Sequence, residues 1–113
     1  MIIYGIKNCD TMKKAFAWLE ENGVAYTFHD YKAKGITKHK IEDWLKHAPI
    51  SKLINTKGPT FRKLSDEDKL SIENPAKAIE LMMVNTSMIK RPIVETGHDV
   101  LIGFDPEFWD KHV

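Results

Sequence analysis

The sequence predicts an α/β domain with a mixed four-stranded sheet, and three observations carry that prediction. A short apolar run, Met1 to Ile6, gives way to an amphipathic helix and then to a second β-rich run, Ala25 to Tyr31, the pattern of a βαβ unit. Two further β-rich runs, Ile93 to Thr96 and Val100 to Gly103, flank a turn and are followed by a last helix. Between these ends, residues from about 36 to 88 read as helices alone, an insertion within a single domain spanning residues 1–113.

Each element has a local cause. Met12, Ala15, Phe16 and Leu19 recur at helical spacing after the first strand, and Asn22-Gly23 supplies the stop. The second strand alternates aromatic and β-branched residues, and Lys32 to Gly35 reads as a polar loop. Thr37 is placed to cap a helix reaching about His47, with Ile41, Trp44 and Leu45 on its apolar face and Pro49 beyond its end. Ile50 to Ile54 suggests a short helical turn, and Asn55 to Leu64 a loop rich in turn formers. Ser65-Asp66-Glu67-Asp68 is a helix start with a serine cap and acids in the first turn. Asn74-Pro75 is another, with proline at the first helical position and Ala78, Leu81 and Met82 as the buried stripe. Met82, Met83 and Met88 read as core filler rather than a soft-metal site. Gly97-His98-Asp99 forms a hairpin turn, and Asp105-Pro106 opens a short helix carrying Phe108 and Trp109. Two parallel strands, a crossover helix, an antiparallel hairpin and a closing helix are the parts of a thioredoxin-like fold, here with helices inserted in the middle.

Composition narrows the function classes. With 113 residues, 42% of them apolar and 29% charged, the chain has enough material for one hydrophobic core without metal or disulfides. The net charge of +1 gives no reason to expect nucleic acid or an acidic membrane as partner. No apolar run approaches the roughly 20 residues of a membrane span, no signal segment opens the sequence, and a single cysteine excludes an internal disulfide. A cytoplasmic monomer is the expectation. His29, His39, His47, His98 and His112 show no ligand spacing, so no metal is expected, and the glycines form no phosphate loop.

That single cysteine, Cys9, stands where the first strand ends and the first helix begins. Unpaired N–H groups and the helix dipole favour a thiolate there, and Lys7, Lys13 and Lys14 add positive charge, Lys13 one turn beyond Cys9. A lone cysteine is more often a small buried hydrophobe. Polar Asn8 and Asp10 on either side argue instead for a reactive thiolate. Asn8 is placed either to hydrogen-bond the sulfur or to cap the helix.

Of 17 basic residues only two are arginine, Arg62 and Arg91. Arginine kept among so many lysines points to planar, bidentate recognition of an anion, or else to a structural ion pair. Pro92 opens the third strand, where an X-Pro bond can be cis.

The ordered set Tyr4-Gly5-Ile6-Lys7-Asn8-Cys9-Asp10-Thr11-Met12-Lys13-Lys14-Ala15, Phe28-His29-Asp30-Tyr31, Asn55-Thr56-Lys57-Gly58 with Phe61-Arg62-Lys63-Leu64, and Ile89-Lys90-Arg91-Pro92-Ile93 followed by Gly103-Phe104 resembles the ArsC/Spx family, its YffB-like branch most closely. The resemblance runs through essentially the whole chain. It implies a thioredoxin-like fold with a helical insertion, Cys9 as nucleophile, Arg62 and Arg91 as two of the three arginines that hold an oxyanion in arsenate reductases, and Pro92 as the cis proline. Two departures matter. Gly103-Phe104 stands where the third arginine would fall, so the arsenate site is incomplete. Met12 stands where Spx regulators carry the second cysteine of their redox switch, so no internal switch can form.

The resemblance therefore implies a glutathione-dependent thiol reductase acting on a disulfide or an oxyanion. Cys9 attacks, Arg62 and Arg91 bind the anion, Lys13 and Asn8 assist, and no cofactor is tightly bound. With no second thiol in the chain, glutathione would be the co-substrate, with glutaredoxin as a further partner. The alternatives are a non-enzymatic module that docks on RNA polymerase in the manner of Spx, and a divergent arsenate reductase.

Overall fold

A computed structural model describes all residues, Met1 to Val113. The chain divides into two compact units, one formed by Met1–Lys34 and Arg91–Val113, the other by Gly35–Lys90.

The first unit is built on a mixed four-stranded sheet. Its strands are β1 (Ile2–Gly5), β2 (Thr27–Asp30), β3 (Ile93–Glu95) and β4 (Val100–Ile102), in the order β2-β1-β3-β4. β1 and β2 run parallel with Ile3 opposite Phe28 and Gly5 opposite Asp30. β3 is antiparallel to β1, with Ile3 opposite Val94, and β4 is antiparallel to β3, with Val94 opposite Leu101. Because side chains alternate across a strand, this register puts Ile3, Phe28, Val94 and Leu101 on one face and Tyr4, His29 and Ile93 on the other.

The apolar face is covered by α1 (Asp10–Glu21) and α8 (Pro106–His112). Met12, Ala15 and Leu19 descend one side of α1 at helical spacing and are fully buried with Ile3, Val94 and Trp109. Phe16 stacks on Tyr26 at 5.6 Å and meets Phe28 edge-on at 5.1 Å. α1 stops at Asn22 because Gly23 follows with φ 65°, a left-handed turn that glycine adopts without a Cβ clash. The hairpin between β3 and β4 is closed by Thr96, whose N–H donates to the Asp99 carbonyl at 3.0 Å and whose Oγ1 accepts the Asp99 N–H at 3.0 Å.

The second strand is shorter than its sequence pattern. It ends at Asp30, and the expected loop at Lys32 to Gly35 is largely a helical turn, α2 (Tyr31–Lys34). The cause is Asp30, whose Oδ1 accepts the Lys32 N–H at 2.9 Å and bends the chain into a helix.

The second unit is helical, with α3 (Lys38–Leu45), α4 (Ile50–Leu53), α5 (Pro59–Arg62), α6 (Asp66–Ser71) and α7 (Pro75–Val84), then a 3₁₀ turn at Thr86–Met88. The caps read from sequence form. Thr37 Oγ1 accepts from Lys40 N–H at 3.2 Å, Ser65 Oγ from Asp68 N–H at 3.1 Å, and Asn74 Oδ1 from Ala76 N–H at 3.0 Å. Three expectations are corrected. The turn-rich stretch before Leu64 holds α5, started by Gly58 as cap and Pro59 in its first turn. The buried stripe of α7 is Ala78, Ile79 and Met82, with Leu81 only half-buried. Met83 is 39% exposed, so of the three methionines in this region Met82 and Met88 are the buried ones. No helix in the chain is long and apolar enough to cross a membrane.

Candidate active site

The first unit brings its chemistry to one end of the sheet. β1 and β2 are parallel and finish together, while β3, antiparallel to both, begins there. Cys9 follows β1, Tyr31 follows β2, and Arg91 precedes β3 by one residue, Pro92. Open α/β sheets bind their ligands at the carboxyl ends of parallel strands, because helix N-termini and loops converge there.

Cys9 occupies the N-cap of α1 with extended backbone, φ −144° and ψ 127°. Asn8 is thus one residue too early to cap, and it lies exposed. An N-cap residue normally offers an oxygen to the N–H groups of the second and third helical residues, here Thr11 and Met12. The sulfur makes no cap hydrogen bond of the conventional kind. Those two N–H groups nevertheless favour its charged form. Burial pushes the Cys9 thiol up, but the Met12 N–H, a hydrogen bond from the Arg91 side chain, the Thr11 N–H and the Arg91 charge together outweigh it, and the net shift is downward. Cys9 is half-buried, so the sulfur is held by these donors on one side and remains open to an electrophile.

The first turn of α1 packs closely against the end of β1. A Cβ on Gly5 would run into the Met12 Sδ and Cε, so glycine at the end of β1 lets the first turn of α1 settle onto the strand. Met12 is fully buried there, which fixes the N–H that acts on Cys9. The Lys13 N–H donates to the Cys9 carbonyl at 3.0 Å, the first bond of the helix, while the Lys13 side chain is exposed. The cation at the sulfur is Arg91, half-buried and joined to the buried Pro92 by a cis peptide bond. Arg62 ends α5 in the second unit and is exposed. Cys9 and Arg91 are therefore the two residues named from sequence that the first unit joins.

Within the electrostatic reach of Arg91 lies a polar aromatic cluster to which the sequence reading assigns no role. The Tyr4 hydroxyl donates to Glu95 Oε1 at 2.7 Å, and the Tyr4 ring lies 4.9 Å from His29 and 6.4 Å from Tyr31. Burial and the Glu95 carboxylate raise the Tyr4 pKa well beyond the usual phenol range. The one signal in the sequence is period-two placement of Tyr4, His29 and Tyr31 on neighbouring strand ends, with Glu95 on the same face of β3.

Gly103 and Phe104 form a structural corner. The Gly103 N–H donates to the Pro92 carbonyl at 2.8 Å, its φ is 82°, and its own carbonyl accepts the Trp109 Nε1–H at 3.2 Å. Phe104 packs edge-on against Trp109 at 4.9 Å. This segment turns the chain from β4 into α8 and offers no cation.

Replacing Arg91 by alanine removes both a charge-assisted hydrogen bond and the nearest cation. We expect alkylation of Cys9 by a neutral reagent near pH 6.5 to slow roughly three- to tenfold. The full rate should return at alkaline pH, where the thiolate forms without help. An unchanged rate–pH profile would remove Arg91 from the sulfur.

Known proteins share this fold. The solved structure of a protein named YffB has a TM-score of 0.93 to this chain at 48% identity, covering 97% of this chain and 96% of that one. An arsenate reductase (ArsC) related protein from Brucella melitensis gives 0.77 at 45% identity, covering 98% and 92%. The global transcriptional regulator Spx of Listeria innocua is 26% identical over 93% of this chain and 80% of its own length. The mixed four-stranded sheet with its helices is the thioredoxin-like architecture shared with these structural neighbours. Residues 4–112, nearly the whole length, match the ArsC family, and the chain belongs to it.

Proposed function

We propose that the protein is a cytoplasmic, glutathione-dependent thiol reductase that uses Cys9 as its nucleophile. The observation that carries this reading is the sulfur itself, set at a helix N-cap with its pKa lowered by two backbone N–H groups and Arg91. ArsC-family membership and an arsenate reductase related neighbour support a thiol-redox role. In the first step the Cys9 thiolate attacks the glutathione sulfur of a mixed disulfide RS–SG. The S–S bond breaks, RS⁻ leaves and takes a proton from solvent, and Cys9–S–SG forms. A second glutathione, as thiolate, attacks the glutathione sulfur of that adduct, releasing oxidised glutathione and restoring the Cys9 thiolate. Glutathione or glutaredoxin must supply this electron pair, because the chain has no second cysteine. Arg62 is assigned to the anion on the reducing partner, with Lys13 and Asn8 at the exposed rim.

The test is turnover of a glutathionylated peptide with glutathione, following oxidised glutathione through glutathione reductase, together with intact-mass detection of a glutathionyl adduct on Cys9. Turnover above the uncatalysed rate with an adduct is the expected result. The absence of both would remove the reductase reading. The Spx relative would then favour the second reading, a redox-inert module that docks on RNA polymerase. Arsenate as substrate is the weaker enzymatic reading, since Gly103-Phe104 supplies a backbone corner where a third arginine would be needed.

A further inference from the structure

We propose that the cleft between α6 and α7 is a docking site for a basic amphipathic helix of a protein partner. The cleft lies wholly within the helical unit, and its use does not depend on the chemistry of Cys9.

The two sides of α7 have different surroundings. Ala78, Ile79 and Met82 are buried. On the other side Lys77, Glu80, Leu81 and Val84 recur at i, i+3, i+4 and i+7, so they form one stripe along the helix. That stripe lines a cleft of about 290 Å³ whose opposite wall is Glu67, Asp68 and Ser71 of α6. The two most exposed large apolar side chains of the protein belong to these same helices. Val84, within the cleft, is 82% exposed, and Leu70, next to Ser71, is 70% exposed. A single exposed apolar residue needs no explanation. Two of them on the neighbouring helices of one cleft leave apolar surface for a partner to cover.

Charge selects that partner. The cleft holds three carboxylates, Glu67, Asp68 and Glu80, and one ammonium, Lys77. Lys77 lies 3.7 Å from Glu80, which leaves Glu67 and Asp68 without an ion pair. Acids in a first turn complement the helix N-terminus, and this accounts for their presence in α6. It does not account for the apolar side chains beside them. The whole chain carries a net charge of +1, so the negative sign belongs to this cleft and not to the molecule at large. Carboxylates repel phosphate, which disfavours nucleic acid and anionic membranes here. The volume falls at the foot of the range for small-molecule pockets, about 300–1,000 Å³, so the cleft seats a side chain rather than a whole ligand. An amphipathic helix with apolar anchors flanked by lysine or arginine meets both halves of the surface, and presents its anchors at the spacing of the α7 stripe.

The probe is a synthetic helix of about 18 residues, leucine on one face and lysine on the other, titrated into the ¹⁵N-labelled full chain. Two control peptides accompany it, one of the same composition in scrambled order and one with glutamate for every lysine. Amide shifts centred on α6 and α7 are expected, with affinity that falls as salt is added and no binding of the glutamate peptide. Val84→Gln and Leu70→Gln should each raise the dissociation constant about tenfold, and Glu67→Gln about threefold. All three side chains are exposed, so the melting temperature should move by no more than about two degrees. The two apolar variants lie on different helices, so loss of folding in one leaves the other to decide. Absence of binding, shifts centred elsewhere, equal binding of the scrambled peptide, or unchanged affinity in the folded apolar variants would each overturn the proposal. Self-association of the protein alone in sedimentation, abolished by Val84→Gln, would make a second copy the occupant and overturn the partner proposed.

Discussion

Cys9→Ser is expected to abolish thiol–disulfide exchange and leave the fold intact. The two halves of this result come from one position. The N-cap is a site where serine is among the favoured residues, because its oxygen accepts N–H groups that the first helical turn leaves unpaired. In the native protein Cys9 holds that position without a conventional cap bond. Serine should therefore match or improve the stability of α1, by up to about 1 kcal/mol. Its hydroxyl ionises far above neutral pH, so no nucleophile survives and exchange should fall to the uncatalysed rate. An exchange rate equal to wild type would show that the chemistry lies elsewhere. A large loss of stability would show that the sulfur is a packing element.

The same pair of proteins yields a pH prediction. The Cys9 pKa is lowered in the folded state. Exchange by wild type should rise with pH to a plateau reached below the ordinary thiol midpoint near 8.5. The sign for stability follows from linkage. Lowering the pKa on folding means that the unfolded chain binds more protons in the window between the two values. Wild-type stability relative to Cys9→Ser should therefore grow as pH rises through that window, and be lost as pH falls through the folded-state value. Paired urea titrations at several pH values measure this difference directly. A difference that is flat or opposite in sign would contradict the lowered pKa.

Trp109→Ala should produce the largest loss of stability. Trp109 is fully buried, meets Trp18 edge-on at 5.5 Å and Phe104 at 4.9 Å, and donates from Nε1 to the Gly103 carbonyl at 3.2 Å. Its removal leaves a large cavity among Ile3, Met12, Leu19, Val94 and Leu101, at a cost of about 3–5 kcal/mol. That is a large share of the roughly 5–15 kcal/mol holding an ordinary domain together. The loss should also spread. α8 is seven residues long, too short to persist alone, and Trp109 is its only buried residue. Once α8 detaches, one wall of the core around Met12 is lost, and with it the rigid placement of the N–H that acts on Cys9. The denaturation midpoint should drop strongly, and Cys9 should alkylate more slowly near neutral pH even in the fraction still folded. Trp109→Phe, which keeps an aromatic ring and loses the Nε1 donor, should cost much less. Equal losses in the two variants would mean that the hydrogen bond, not ring volume, holds the corner.

Much of the molecule can be read from its residues because its causes are local. Thr37, Ser65 and Asn74 each cap the helix they precede, since a cap needs only its own side chain and N–H groups two or three residues on. Strand alternation gave the sheet its buried face, and the oddity of two arginines among so many lysines marked Arg91 before its place was known. What escaped the sequence has causes spread across the fold. α2 and α5 are four-residue helices, too short for any periodicity to register. Ile79 rather than Leu81 turns inward on α7, and Met83 outward, because packing chooses among adjacent apolar residues that hydrophobicity alone ranks alike. Cys9 rather than Asn8 takes the N-cap, with the Met12 side chain packed tightly against Gly5 of β1. The sequence alone placed a single cysteine at a strand-to-helix junction in an α/β domain. Only the tertiary structure decided that Arg91, rather than Lys13, acts on its sulfur, and that Tyr31 is buried at the same end of the sheet. Both are matters of strand order and register, which join residues far apart in the chain.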